Sequence, residues 1–309
     1  MKETGFDVVC VASWNADLIS QVARPIARGE TLMASSFTIS PGGKGSNAAV
    51  AAARQGARVA LIARIGDDEF GRMGMCLWHA EGIATAHVAC AAGERSGVAQ
   101  IVVYDDGDNS IAVYIGAGAG LRAQQVQEAR SLLQNCRVVI ASCEVPLEAT
   151  QQAFAIAKAA GILTLLNPAP ARHLPDDLLV KVDVLSPNES EVVALTGAAT
   201  SVDEAAADLL ARGVGAVVVT LGADGCRIYQ KGQSPVHLPG HRMPVKDTIG
   251  AGDTFTGALA AALARGETLG NAAQWANAAA ALSVTRPGAI DGIPQRAEVQ
   301  ALREREGRP

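Results

Sequence analysis

Aromatic side chains are scarce in this chain: three Trp, three Tyr and five Phe, 4% of 309 residues. Hydrophobic residues nevertheless make up 49%. A core poor in rings is filled by alanine and aliphatic side chains, which favours small helices packed closely on a sheet. Positive charge is not in excess either. The net charge of −5 gives a nucleic-acid backbone nothing to be attracted to. Cys10, Cys76, Cys90, Cys136, Cys143 and Cys226 form no C-x-x-C pair, so neither a zinc site nor a disulfide framework is legible. Scattered thiols suit a reducing compartment, and a cytoplasmic protein is expected. The five histidines lack H-E-x-x-H spacing. The first twenty residues contain Asp7 and no basic-then-apolar leader. The longest uncharged run, 268–285, includes Asn271, Gln274 and Asn277 and reads as a buried helix, not a membrane span.

Two familiar phosphate-binding signatures are also missing. No G-x-G-x-x-G opens a helix: Gly250 and Gly252 are followed by Phe255 where a small residue is needed. No Walker loop exists, because Lys44 is followed by Gly45 and not by Ser or Thr.

What is present is a different glycine-rich element. Gly250-Ala251-Gly252 runs directly into Asp253. Phe255, Ala258, Leu259, Ala262 and Leu263 then recur at helical spacing, and Gly266 is placed to end the helix. A turn without bulky side chains lets backbone N–H groups approach an anion at a helix N-terminus. Asp253 puts a base beside that anion. A carboxylate repels phosphate, so its placement makes sense when a hydroxyl must lose a proton as it attacks a phosphoryl group. Taken alone, Asp253 reads equally as an ordinary helix N-cap.

A second element argues for chemistry. Gly42-Gly43-Lys44-Gly45-Ser46-Asn47 leads into a small-residue helix closed by Gly56. Adjacent glycines let a hydroxylated ligand touch the backbone, and Lys44 and Asn47 sit at the helix start.

Along the rest of the chain short apolar runs alternate with helical patterns. Strands are expected at 6–12, 59–65, 137–141, 162–166, 182–186 and 216–220. Helices are expected at 45–55, 123–134, 147–159, 189–195, 201–211, 254–265, 268–283 and 295–303. This alternation predicts an α/β fold with a mostly parallel central sheet covered on both faces. Two segments without helical periodicity, 15–40 and 96–116, read as β-rich insertions, with strands at 18–22, 32–39, 98–104 and 111–115 and a hairpin turn at 106–109. They form a small lid or a dimerisation surface on a single domain spanning 1–309. The ends, 1–5 and 304–309, are expected to be loose.

With both glycine-rich elements in place, the chain resembles the ribokinase-like (PfkB) family of sugar kinases over nearly its whole length. Gly42 to Asn47 is similar to the family's first signature and Asp247 to Gly266 to its second. Further similar stretches are Ser13 to Asp17, Leu166 to Ala171, Ser186 to Glu191, Thr220 to Gly222 and Val284 to Ala289. The resemblance implies a three-layer α/β/α domain with a β-sheet lid, through which such proteins often form homodimers. It implies transfer of the γ-phosphoryl group of ATP to the 5-hydroxyl of ribose, with Mg²⁺ required and K⁺ activating. Asp253 is then the base and Gly250, Ala251 and Gly252 the anion hole. Asn15, Asp17, Gly42, Gly43, Lys44, Asn47 and Glu144 hold the sugar. Asn188, Thr220, Gly222, Gly252 and Asn277 border the nucleotide. Glu191 acts on Mg²⁺ through water, and Asp247, Ile249, Ser283, Arg286 and Gly288 surround K⁺.

Each residue also has a plainer reading by itself. Lys44 serves equally as a surface lysine and Glu144 as a loop carboxylate. Asn15 and Asp17 alternate on a strand and read also as solvated. Asn188 and Glu191 have the spacing of a helix N-cap, and Asn277 can bond a neighbour. Trp14, Ala48 and Gly118-Ala119-Gly120 depart from the family pattern on the sugar side. They leave deoxyribose, another sugar or a nucleoside as alternative substrates. A non-catalytic sugar- or nucleotide-binding protein is the alternative from another class.

Overall fold

The computed structural model describes residues 5–197 and 201–307. Residues 1–4 and 308–309, parts of the ends expected to be loose, lie outside it.

Thirteen strands form two sheets among the described residues. The larger has nine, in the order β13-β12-β11-β10-β9-β8-β1-β4-β5. Its centre consists of β1 (Val8–Ala12), β4 (Val59–Gly66), β8 (Val138–Ser142), β9 (Leu163–Asn167), β10 (Val184–Leu185) and β11 (Ala216–Thr220). All six pair in parallel. Both faces of these strands are buried, which is why they read as unbroken apolar runs. β10 is shorter than the expected 182–186. The edges are β5 (Ala84–Ala91), parallel to β4, and the antiparallel β12 (Cys226–Gln230) and β13 (Val236–Leu238).

Among the described residues eleven α-helices cover this sheet. One face carries α1 (Lys44–Arg54), α2 (Glu69–Ala80), α9 (Ala251–Ala264), α10 (Leu269–Ser283) and α11 (Arg296–Arg305). The other carries α3 (Ala123–Glu128), α4 (Arg130–Gln134), α5 (Leu147–Ala159), α6 (Asp176–Leu179), α7 (Glu189–Thr196) and α8 (Val202–Ala211). The helix expected at 123–134 is interrupted at Ala129, whose N–H turns back to Val126. The result is the expected three-layer α/β/α architecture.

Alanine decides how closely the helices approach. α1 and α9 pack through Ala48, Ala51 and Ala52 against Gly257, where a Cβ would collide with the Ala48 carbonyl and lie 2.6 Å from Ala51 Cβ. Few larger side chains would fit, so the scarcity of aromatics is a packing requirement here.

The second sheet has the order β3-β2-β6-β7, from β2 (Asn15–Val22), β3 (Ser36–Gly42), β6 (Gly97–Tyr104) and β7 (Asn109–Tyr114). The strand expected at 32–39 begins only at Ser36. β2 is parallel to β6 and antiparallel to β3. Only Ser13 and Trp14 separate β1 from β2. The second sheet is pinned near this crossing by Asp68, which caps α2 and accepts hydrogen bonds from Ser96 N (2.9 Å) and Ser96 Oγ (2.6 Å).

Candidate active site

In open α/β sheets ligands gather at the carboxyl ends of the parallel strands. Here five such ends deliver polar residues: Ser13 after β1, Glu144 after β8, Asn167 closing β9, Ser186 after β10 and Thr220 closing β11. The starts of α1, α7 and α9 converge on the same rim.

Asp253 lies in the first turn of α9, 5% exposed. The N-cap is Gly250, in the left-handed region at φ 76°, and no side chain caps this helix. Asp253 is therefore not the cap that its sequence position allowed. Its Oδ2 accepts a hydrogen bond from Asn47 Nδ2 on α1 at 2.9 Å. The close α1–α9 contact at Gly257 makes this possible. Burial pushes the Asp253 carboxyl up to about 6, against the attraction of Lys44 and the Asn47 hydrogen bond. Lys44 in turn is held above the usual lysine range, chiefly by Asp253 and against its own burial. Asn47 Oδ1 is buried and has no hydrogen-bond partner among the described residues, so it remains available to a ligand donor.

The Gly250 turn is fixed from behind. A Cβ at position 250 would lie 2.9 Å from Ala289 Cβ and 3.0 Å from its Cα, so the residue must be glycine for steric reasons as well as for its positive φ.

Glu144 is more than a loop carboxylate. Its Oε2 accepts from Ser13 Oγ (2.6 Å) and from Lys44 N (2.8 Å), while Ser13 Oγ accepts from Gly45 N (3.0 Å). A carboxylate and a hydroxyl thus satisfy two N–H groups at the start of α1, whose own N-cap, Gly43 at φ 91°, has no side chain to offer. Asn15 and Asp17 share one face of β2 and are brought to this rim by the second sheet. Asp17 lies across Gly42, where any Cβ would collide with its carboxyl. Burial, then repulsion from Glu144 and Asp253, pushes Asp17 up to about 7, against the pull of Lys44. Asn15 is buried at 7% and lies over Gly97 in the same manner.

Beside Asp253 is a small cavity of about 190 Å³. Lys44, Asn188, Glu191 and the Gly250–Gly252 turn line it, with Asn167 and Ser186. Asn188 and Glu191 do form a capping box on α7, Asn188 Oδ1 accepting from Glu191 N (2.8 Å) and Glu191 Oε2 from Asn188 N (2.9 Å). The plainer reading of that pair and its place in the site therefore hold together. A larger, mostly apolar cavity of about 580 Å³ adjoins it, sharing Thr220, Thr248, Ala251 and Gly252. Gly222 and Asn277 line this second cavity, and Asn277 Nδ2 donates to Leu238 O at 3.3 Å.

The sequence reading missed Asn167, Ser186, Thr248, His241 and Phe255 as lining residues. Asn167 closes β9 and Ser186 follows β10, each directly before a proline, a signal that could have singled them out. Ser186 Oγ is buried without a partner among the described residues. Trp14 turns away from the rim: its Nε1 donates to Phe70 O (3.1 Å) and its ring stands edge-on to Trp78 at 5.3 Å. Gly118-Ala119-Gly120 lies in a short 3₁₀ turn, with Gly120 packed against the Arg64 guanidinium.

Asp247 bridges two loops, Oδ1 accepting from Ile249 N (2.9 Å) and Oδ2 from Gly288 N (2.8 Å). The Ile249 and Arg286 carbonyls accept no backbone hydrogen bond among the described residues. Carbonyl oxygens around a carboxylate fit a weakly hydrated monovalent cation. The Ser283 and Gly288 carbonyls already accept from Arg286 N and Gly292 N, and the Arg286 side chain pairs with Glu298. Among the described residues no cluster of three or more His, Cys, Asp or Glu could hold a metal. A single carboxylate such as Glu191 on the polar cavity's wall suits a divalent ion that brings its own phosphate and water ligands. No helix among the described residues is long and apolar enough to cross a membrane.

Comparison with known proteins agrees with this fold. The chain is 37% identical over 292 residues to a ribokinase of Haemophilus influenzae, covering 93% of this chain and 95% of that protein. It is 35% identical over 293 residues to a deoxyribokinase of Salmonella typhimurium, at 93% and 95% coverage. The solved structure of Arabidopsis thaliana ribokinase complexed with ribose and ATP superposes with a TM-score of 0.89 at 31% identity, over 96% of this chain and 98% of that one. The model of the pfkB family carbohydrate kinases matches residues 6–296, and the chain belongs to that family.

Proposed function

We propose that this sugar kinase transfers the γ-phosphoryl group of ATP to the 5-hydroxyl of D-ribose, giving ribose 5-phosphate and ADP. The observation that carries the reading is the buried Asp253 carboxylate, held by Asn47 beside the Gly250–Gly252 turn. It faces a polar rim on one side and, on the other, the smaller of two adjoining cavities.

Asp253 accepts the proton of the sugar hydroxyl as its oxygen bonds to the γ-phosphorus and the bond to the β-phosphate oxygen breaks. The hydroxyl becomes acidic only as that bond forms, so a carboxylate with a pKa of about 6 suffices as the base. The backbone N–H groups of Gly250, Ala251 and Gly252 meet the charge on the transferring phosphoryl group. Asn15, Asp17, Lys44, Asn47 and Glu144, with the backbone of Gly42 and Gly43, hold the sugar's other hydroxyls. Asn188 borders the phosphates. Thr220, Gly222 and Asn277 border the nucleoside in the larger cavity. Glu191 would hold, through water, a Mg²⁺ bound with ATP, which would supply neutralisation of phosphate charge. Asp247, Ile249, Ser283, Arg286 and Gly288 would hold K⁺, and filling that site would stiffen the loop against which Gly250 packs.

The molecule works on this reading as one domain, 1–309, with the second sheet closing over the sugar as a lid. Phe37, Ile39, Ile111, Val113 and Tyr114 are exposed on that sheet. An apolar face of this kind supports a homodimer joined lid to lid.

2-Deoxyribose is the second reading, favoured by the similarity to a deoxyribokinase. ADP release should be measured with Mg-ATP across ribose, 2-deoxyribose, other pentoses, hexoses and nucleosides, with and without K⁺. Ribose is expected to give the highest kcat/KM and K⁺ to raise it. A higher kcat/KM for another acceptor would move the specificity and keep the mechanism. No turnover on any acceptor would refute both.

A further inference from the structure

The far wall of the larger cavity is a segment without regular structure, residues 239–249, between β13 and the Gly250 turn. Gly240, His241, Arg242, Met243, Val245 and Thr248 of this segment line the cavity. Its backbone is anchored near the ends. Gly240 packs against the Ala223 carbonyl, and Lys246 N donates to Val284 O at 2.8 Å. Every residue between 239 and 249 is exposed or half-exposed except His241. The His241 side chain is 2% exposed and its Nδ1 lies 2.7 Å from Glu306 Oε2. Glu306 is the C-terminal cap of α11. α11 packs through Val299 and Leu302 into the same core cluster as α10, which supplies Asn277, Ala280 and Ala281 to the cavity's other wall. One side-chain contact therefore closes a ring that runs from the loop through α11 and α10 back to the cavity.

We propose that the His241–Glu306 contact is a latch that positions the base-side wall of the nucleotide cavity, so that the C-terminal helix sets the affinity for ATP. This rests on the assignment of the larger, apolar cavity to the nucleoside. A loop without ladder hydrogen bonds samples several conformations, and a ligand that needs one of them binds more weakly by the fraction of time spent elsewhere. Docking His241 on Glu306 raises that fraction. The polar cavity takes only Thr248 from this segment, beyond the Lys246 anchor, so the latch acts on the nucleoside and leaves the phosphates alone.

The test is a binding titration of the full chain with ATP, adenosine and inorganic tripolyphosphate, for the wild type, Glu306→Ala, His241→Ala and the double variant. Glu306 is at the surface end of a helix, so its variant keeps the fold even if His241→Ala does not. The dissociation constants of ATP and adenosine should rise about five- to tenfold in each single variant, the factor set by one close polar contact of ordinary net strength. The double variant should be no weaker than either single one. Tripolyphosphate affinity and the KM for the sugar should not move. Wild-type affinity for ATP in Glu306→Ala would overturn the latch, as would an equal loss for tripolyphosphate. Ala280→Trp checks the underlying assignment separately. If filling the cavity leaves adenosine binding intact, the nucleoside lies elsewhere and the latch falls with it.

Discussion

Replacing Asp253 by Asn should make the protein more stable and nearly inactive. The carboxyl sits at 5% exposure, and burial raises its pKa from 3.8 to about 6 even after the attraction of Lys44 is counted. The folded state therefore holds the proton more tightly than the unfolded state. Stability is greatest below the unfolded pKa and falls as pH rises through the folded one. Above about pH 7 the full difference applies, roughly two pKa units or about 3 kcal/mol against folding. Asn resembles the neutral acid in shape and can still accept from Asn47. Asp253→Asn should thus recover up to about 3 kcal/mol at pH 8 and almost nothing at pH 4. Turnover should fall by at least ~10²-fold, the low end for loss of a general base. Sugar binding should change little, because Asn47, Lys44 and Glu144 are untouched. The assays are urea denaturation at pH 4 and pH 8 and steady-state kinetics at saturating sugar and ATP. A variant that retains turnover refutes the base. A variant equally or less stable at pH 8 refutes the claim that the active site carries a buried, energetically costly carboxylate.

Two further perturbations test the rest of the site. Asp17, raised to about 7 by burial and by Glu144 and Asp253, must lose its proton to accept from two sugar hydroxyls, so the wild-type sugar KM should climb as pH falls from 8 to 6. Asp17→Asn should flatten that profile and raise KM at pH 8 by at least ~10-fold, the cost of losing a hydrogen bond to a charged group; a wild-type KM independent of pH would contradict it. Gly257→Ala forces a Cβ into the Ala48 carbonyl and should cost about 1–3 kcal/mol, the usual range for overpacking. It should also lower kcat more than KM, because parting α1 from α9 stretches the Asn47–Asp253 hydrogen bond. An unchanged denaturation midpoint would show that the two helices separate freely.

The strands buried on both faces were legible because nothing polar interrupts them. The six expected strands make up the centre of the large sheet, whereas β5, β12 and β13 at its edges escaped notice. β5 is exposed or half-buried at every residue but its last, and a strand that wet carries a weaker apolar signal. α2 was missed for a different reason. Gly71 and Gly74 interrupt its sequence and lower its helix propensity, yet both are tertiary requirements. A Cβ at Gly71 would collide with the Gly66 carbonyl, and one at Gly74 would lie 2.9 Å from the Trp14 ring. Sequence patterns report what a segment prefers in isolation, and these glycines serve a neighbour.

The same distinction governs the site. Glycine-rich turns before helices were readable because their function is local: a φ of 76° or 91° and a free helix N-terminus need no partner to be recognised. The partners themselves were not readable. Asn47 and Asp253 are 206 residues apart, and Ser13 meets Glu144 across 131. Only the parallel arrangement of the sheet brings those helix starts and strand ends to one rim. His241 is the extreme case. Nothing in Pro239-Gly240-His241-Arg242 distinguishes a loop histidine from a latch, and its partner lies three residues from the end of the sequence. Catalytic chemistry in this protein is written in short motifs, while the groups that tune affinity are written in the packing of the last helix. Variation in α11 among related sequences should therefore follow nucleotide affinity more closely than sugar choice. Exchanging residues 296–309 between two related kinases should carry their difference in ATP KM along with it. A swap that transfers sugar preference instead would place the determinant in the wrong half of the site and refute this division.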